Sequence, residues 1–159
     1  MFLYIIKMNS FKDQFIMFVS MVVIGMLFNP MSILAYKYDH LYASTTLFYG
    51  GLMMASNMVW GHQIVHYLQM GHFNINIFLI GLTLSLFVAK FLLRDQLFVN
   101  TKQWLKRMIP HHSTALTTTN KLIENEEVKK DSKLYRLAKD IIYNQEREIL
   151  LMKTYLKSY

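Results

Sequence analysis

The run Phe73–Leu93, FNINIFLIGLTLSLFVAKFLL, carries a single charged residue, Lys90, close to its end. A helix needs about 20 apolar residues to cross a hydrocarbon core of roughly 30 Å, and this run supplies them. Two more apolar runs precede it: Phe15–Tyr36, FIMFVSMVVIGMLFNPMSILAY, and Leu41 to about Val65. Between residues 14 and 89 the charged side chains are Lys37 and Asp39, both in the short link KYDH. The chain is 53% hydrophobic with twelve methionines, above the apolar share of an ordinary soluble domain. These features predict three transmembrane helices, at about 15–36, 41–65 and 73–93, in a membrane domain covering 1–94, with the lipid bilayer as its first partner. Asn29-Pro30 predicts a kink inside the first span. Lys7 and Lys12 precede that span as in a signal peptide, but the run is long and no small-x-small cleavage site follows it.

From Asp95 onward the pattern changes to interleaved Lys, Arg, Asp and Glu, which sets the second part at 95–159. The formal net charge of +7 raises the question of nucleic acid. The basic residues are mixed with acids along helices and form no aromatic-basic ladder, so a solvated surface near anionic lipid is expected instead. The chain has no cysteine, which excludes disulfides and thiolate metal sites.

The tail reads as a helical hairpin. One helix is predicted over Thr101–Ile123, a loop over ENEEVKKDS, and a second helix over Lys133–Leu156 with Asp131 or Ser132 as N-cap. In the second helix Leu134, Leu137, Ile141, Glu148, Met152 and Tyr155 recur at three- and four-residue steps, with Gln145 on the same face. Within the first helix lies RMIPHHSTAL, Arg107–Leu116, where two of the six histidines stand together behind a proline. Pro110 is expected to start or kink the helix. Met108 and His112, four apart, can converge on one face, whereas His111 points aside toward Ala115.

If the hairpin closes, Met108 and His112 can meet Gln145, Glu148 and Met152. Thioether sulfur with imidazole nitrogen suits Cu(I), whereas Mg²⁺ or Ca²⁺ asks for oxygen throughout. Glu148 is either a ligand or the carboxylate that orients a ligating histidine. The plainer reading is that methionine at helical spacing fills a core and that paired histidines are half-buried polar residues. In the second run Met54, Met58, His62, His66 and Met70 fall every four residues, which makes Met58, His62, His66 and Met70 secondary candidates as metal ligands. Against that, the histidines there sit near the water interface and the methionines can simply face lipid.

Other chemistries lack their residues. No histidine has a Glu three residues before it, as a carboxylate-bridged di-iron bundle needs. His-Glu-x-x-His, Gly-x-Ser-x-Gly and phosphate-cradling glycine loops are absent as well. Ser113 has no orienting carboxylate nearby in sequence, so no hydrolase triad is read.

The words MIPHHSTA (Met108–Ala115), LAKDII (Leu137–Ile142) and NQEREILLMKTYL (Asn144–Leu156) resemble the bacterial-type family catalogued as domain of unknown function 305, a ferritin-like helical domain. Its pattern is a Met-Ile-x-His-His word followed one helix later by Gln-x-x-Glu-Ile-x-x-Met. The resemblance covers about residues 95–157. DHLYAST (Asp39–Thr45) and LLRDQ (Leu92–Gln96) extend it toward a membrane-anchored, Met-rich branch. Soluble relatives are associated with copper and silver handling, which implies Met108, His111, His112, Gln145, Glu148 and Met152 as the metal residues. The chain departs from the pattern at Thr118, where many relatives carry a further Met, and at Tyr155, where Trp is frequent.

The expectation is therefore an all-α integral membrane protein with a C-terminal ferritin-like hairpin. So small a hairpin buries little alone, which favours a homo-oligomer, a dimer closing a four-helix bundle. The function expected is binding of a soft metal, copper as Cu(I), for sequestration or tolerance without catalytic turnover. The alternatives are a membrane scaffold or assembly protein whose His and Met are structural, and a metal-dependent redox enzyme. Lys90, Arg94, Lys102, Lys106 and Arg107 outnumber Lys7 and Lys12, which by the positive-inside tendency favours a cytoplasmic tail. The resemblance implies the reverse, a multi-pass protein with the tail on the outer, periplasmic or extracellular side, and that is the expectation adopted.

Overall fold

The computed structural model describes residues 11–159, so Lys7 lies outside the described residues. The described chain is helical: α1 Phe11–Leu27, α2 Pro30–Ile33, a 3-10 turn Tyr38–His40, α3 Thr45–Met70, α4 Ile75–Phe87 continued by a π-helix Val88–Arg94, α5 Thr101–Leu122, α6 Glu126–Lys130 and α7 Ser132–Lys157. Two compact units result. One joins the segment ending at Leu27 to Thr46–Phe98, and the other joins Phe28–Thr45 to Val99–Tyr159.

Among the described residues two helical stretches are long and apolar enough to cross a membrane, not three as expected: Phe11–Ile33, with mean hydropathy 2.0, and Ile75–Arg94, with 2.1. The predicted second span corresponds to α3, which is long but carries Ser56, Asn57, His62, Gln63, His66 and Gln69. Its methionines and aromatics had concealed how polar it is. Ser56 and Gln63 are fully buried, so part of that polarity points inward. At Gly51 a Cβ would stand 2.7 Å from the Val22 carbonyl, so α1 and α3 meet at backbone distance. Against α4, Ser85 Oγ donates to Asn57 Oδ1 and the Trp60 ring stands edge-on to Phe78.

At the Asn-Pro step, expected to kink the span, the helix breaks: α1 stops at Leu27 and α2 opens at Pro30. The Asn29 carboxamide oxygen accepts the Ser32 N–H. At the far end of α4 the Asp95 N–H bonds back to the Lys90 carbonyl, five residues earlier, and Gln96 and Phe98 take positive φ of 52° and 61°. Thr46 Oγ1 donates to Gln96 Oε1 at 3.1 Å and Tyr49 Oη to the Leu97 carbonyl at 2.7 Å, which holds this turn to α3.

The second unit is an antiparallel hairpin of α5 and α7. Asn100 caps α5, Asp131 caps α7 by accepting from the Lys133 and Leu134 N–H groups, and the predicted loop contains the one-turn α6. Pro110 neither starts nor ends its helix, since α5 runs through it. Leu105, Ile109, Leu116, Ile149 and Met152 form the core, with Tyr42, Met108, Ile142 and Leu156 packed against it. On α7 the inward line is Ala138, Ile142, Ile149, Met152 and Leu156. The expected stripe is off by part of a turn: Leu134, Leu137 and Tyr155 are exposed.

Segment 28–45 belongs to this unit and straps α5 to α7. Ser113 Oγ accepts the Tyr36 N–H at 2.7 Å, Gln103 Oε1 accepts the Thr45 N–H at 2.9 Å, and Lys153 Nζ donates to Asp39 at 2.6 Å.

Candidate metal centre

The hairpin brings His112 and Glu148 together across its two helices, with Nδ1 at 3.0 Å from Oε2. The distance is that of an ion pair, but Nδ1 finds no aligned hydrogen bond among the described residues. The His112 side chain is 14% exposed and that of Glu148 44%. Burial pushes the His112 imidazole below its ordinary value; Glu148 opposes this and His111 adds to it. A neutral imidazole is the form that binds metal. With Nδ1 turned to the carboxylate, Nε2 is the nitrogen left to act as a ligand.

Met108 is half-buried one turn before His112, and Met152 is buried one turn after Glu148. Both belong to the same apolar cluster, Met152 inside it and Met108 against it. Gln145 is half-buried on α7. His111 is exposed, its ring 6.0 Å from that of His112 and nearly perpendicular to it, so the pair does not converge. Among the described residues no three His, Asp or Glu side chains gather around one point. One chain therefore offers an imidazole facing a carboxylate, with a methionine one turn earlier on the helix, and no preformed cage among the described residues. That donor set fits a soft ion of low coordination number better than a hard divalent one.

A second constellation escaped the sequence reading. His40 Nδ1 lies 2.8 Å from Ser113 Oγ, and His40 Nε2 lies 3.7 Å from Asp39 Oδ1. Ser, His and Asp thus stand in a row despite being 73 residues apart in part. Ser113 is fully buried and its oxygen already accepts the Tyr36 N–H, so no nucleophilic role is read for it. The three form a latch under an open cleft of about 330 Å³ lined by Lys37, Glu146 and Lys153. The signal that could have pointed here is KYDH itself, the link that holds both charged side chains between residues 14 and 89.

The secondary candidates lie in the first unit. Met58 and Met70 are exposed, and the rings of His62 and His66 are 6.0 Å apart.

Comparison with known proteins places residues 98–156 within a family described as "Domain of unknown function (DUF305)". The chain is 32% identical over 110 residues to "Uncharacterized protein L153" of Acanthamoeba polyphaga mimivirus, an alignment covering 69% of this chain and 68% of the relative. No solved structure matches.

Proposed function

This chain belongs to the DUF305 family, and from that premise we propose that it is a membrane-anchored protein that binds a soft metal, copper as Cu(I), for sequestration or tolerance without turnover. The observation that carries the reading is the His112–Glu148 pair: a half-buried imidazole whose burial favours its neutral form, one nitrogen facing a carboxylate, a methionine one turn away. Carboxylate-oriented histidines are the usual form of a metal ligand. Met108 and His112 are the ligands proposed, with Glu148 and Gln145 orienting and His111 available to a second chain.

The anchor proposed is the pair of apolar helices, Phe11–Ile33 and Ile75–Arg94, with the hairpin on the outer side of the membrane. A dimer is part of the proposal. Leu134, Leu137, Leu151 and Tyr155 form an exposed apolar flank on α7, on the side that carries Glu148. Covering it with a second hairpin would make a four-helix bundle and would bring a second set of donors to an open site.

One observation favours a scaffold instead: Met152 is enclosed in the core, where a thioether is filling. A Cu(I) competition titration of the full chain in detergent, under reducing conditions, separates the two. Met108→Leu/His112→Gln preserves volume and removes the proposed ligands, and should weaken binding by at least about tenfold. Affinity unchanged by that variant would leave the scaffold reading standing.

A further inference from the structure

At the C-terminal end of α3 three imidazoles stand in a row. The His62 and His66 rings are 6.0 Å apart and the His66 and His72 rings 6.4 Å apart. We propose that His62 and His66, with His72 as a third donor, form a metal site of their own, for a borderline divalent ion such as zinc. It is separate from the hairpin site.

The backbone builds it. His62 and His66 are four residues apart on one helix, the spacing that lets two imidazoles share one ion from a single face. Gly71, at φ +70°, ends the helix in the left-handed region, with its N–H on the Tyr67 carbonyl at 2.8 Å. That turn folds the chain back and sets the His72 carbonyl 3.0 Å from His66 Nδ1.

This contact decides the tautomer. A carbonyl only accepts, so His66 Nδ1 carries the proton and Nε2 presents its lone pair. A histidine donating one N–H to a backbone carbonyl while the other nitrogen stays free is the arrangement that ligating histidines adopt. His62 has a partner as well: its Nδ1 lies 3.2 Å from the Gln14 carboxamide nitrogen of α1, which as placed donates to it. A carboxamide turned to present its oxygen would accept a proton from Nδ1 and free the second Nε2 in the same way.

The spacing fits the ion. Zinc sits about 2 Å from each ring nitrogen, so two imidazoles sharing it have ring centres roughly 5–6.5 Å apart. The His62 and His66 rings are already at that separation, and His72 has to rotate to join them, since among the described residues no three imidazoles or carboxylates converge on one point. Small side-chain rotations and water ligands complete it. The donors are all nitrogen, which favours zinc or another borderline divalent ion, whereas the hairpin offers sulfur.

The test is a Zn²⁺ titration against a chromophoric chelator, with the full chain in detergent carrying His111→Ala/His112→Ala so that the hairpin contributes no imidazole. His66 and His72 lie near the surface, and His66→Gln and His72→Gln leave the helix intact. The expected result is Zn²⁺ binding in the parent, weakened at least about tenfold by His66→Gln and by His62→Gln and less by His72→Gln. Binding already lost on introducing His111→Ala/His112→Ala, or an affinity indifferent to His62→Gln and His66→Gln, would overturn the proposal. Failure of the Cu(I) titration at the hairpin leaves this result untouched.

Discussion

His40 Nδ1 lies 2.8 Å from Ser113 Oγ, and the same oxygen accepts the backbone N–H of Tyr36. One hydroxyl in the middle of α5 therefore holds two groups of the 28–45 strap. Replacing it by a methyl leaves a backbone donor and a buried ring nitrogen without a partner. Each orphaned group costs about 1–3 kcal/mol. Ser113→Ala should destabilise the chain by about 2 kcal/mol or more, read from thermal unfolding in mild detergent. A change below about 0.5 kcal/mol would mean that water replaces the hydroxyl and that the strap is not latched here.

The same latch makes stability depend on pH. His40 is buried, and burial is the main reason its imidazole titrates below the ordinary value of 6.5; Lys153 and Lys37 lower it further, and Asp39 opposes them. The unfolded chain thus takes up the proton before the folded one does. Stability is fully present above pH 6.5 and is lost as the pH falls below it toward the folded value. His112, lowered chiefly by burial, acts in the same direction. The melting temperature should drop between pH 7.5 and 5. His40→Gln should flatten part of that drop, and a profile with the same slope in the variant would assign the effect elsewhere.

The hairpin was legible in the sequence because its signals are local. Asn100 and Asp131 cap the helices, and amphipathic periods run between them, so α5 and α7 end within a residue or two of expectation. The faces were harder. Leu134 and Leu137 fit a helical stripe, but the inward line is Ala138, Ile142, Ile149 and Met152, and small residues at close helix contacts carry no hydropathy signal. The α3 error has the same root: an apolar total says nothing about Gln63 and Ser56 pointing inward. The candidate centre was legible as a list, Met108 and His112 facing Glu148 and Met152. That Met152 is enclosed and His111 exposed depends on how the helices are rotated about their axes. The link 28–45 could not be assigned to the hairpin, because Asp39–Lys153 and His40–Ser113 are contacts across more than 70 residues of chain.

Glu148 stands 3.0 Å from His112 Nδ1 without taking part in the apolar core. If it orients a ligand, removing its charge should weaken metal binding while leaving the fold in place. Glu148→Gln keeps the shape and loses the charge. Cu(I) affinity should fall by roughly tenfold or more, the usual loss when the group behind a ligating histidine is changed. The helical circular dichroism should stay as it was. Unchanged affinity would reduce Glu148 to a half-exposed contact beside a neutral imidazole and remove it from the metal site.

Leu137 and Leu151 are 55% and 48% exposed on α7, and Tyr155 beside them is 59% exposed. In the proposed dimer, the apolar side chains bare along this flank are covered by the second hairpin. Because the core does not use them, Leu137→Glu/Leu151→Glu should leave the single hairpin folded; exposed positions generally change stability by no more than about 0.5 kcal/mol. In a dimer the same charges would face their own copies across a two-fold axis, where like charges repel and desolvate. The protein mass in detergent, measured by light scattering with the detergent contribution subtracted, should fall from two chains to one, with helicity retained. If His111 of each chain serves a shared centre, the Cu(I) stoichiometry per chain should fall with it. A mass of one chain in the parent, or of two in the variant, would remove the α7 flank as the interface and return the hairpin site to the donors of a single chain.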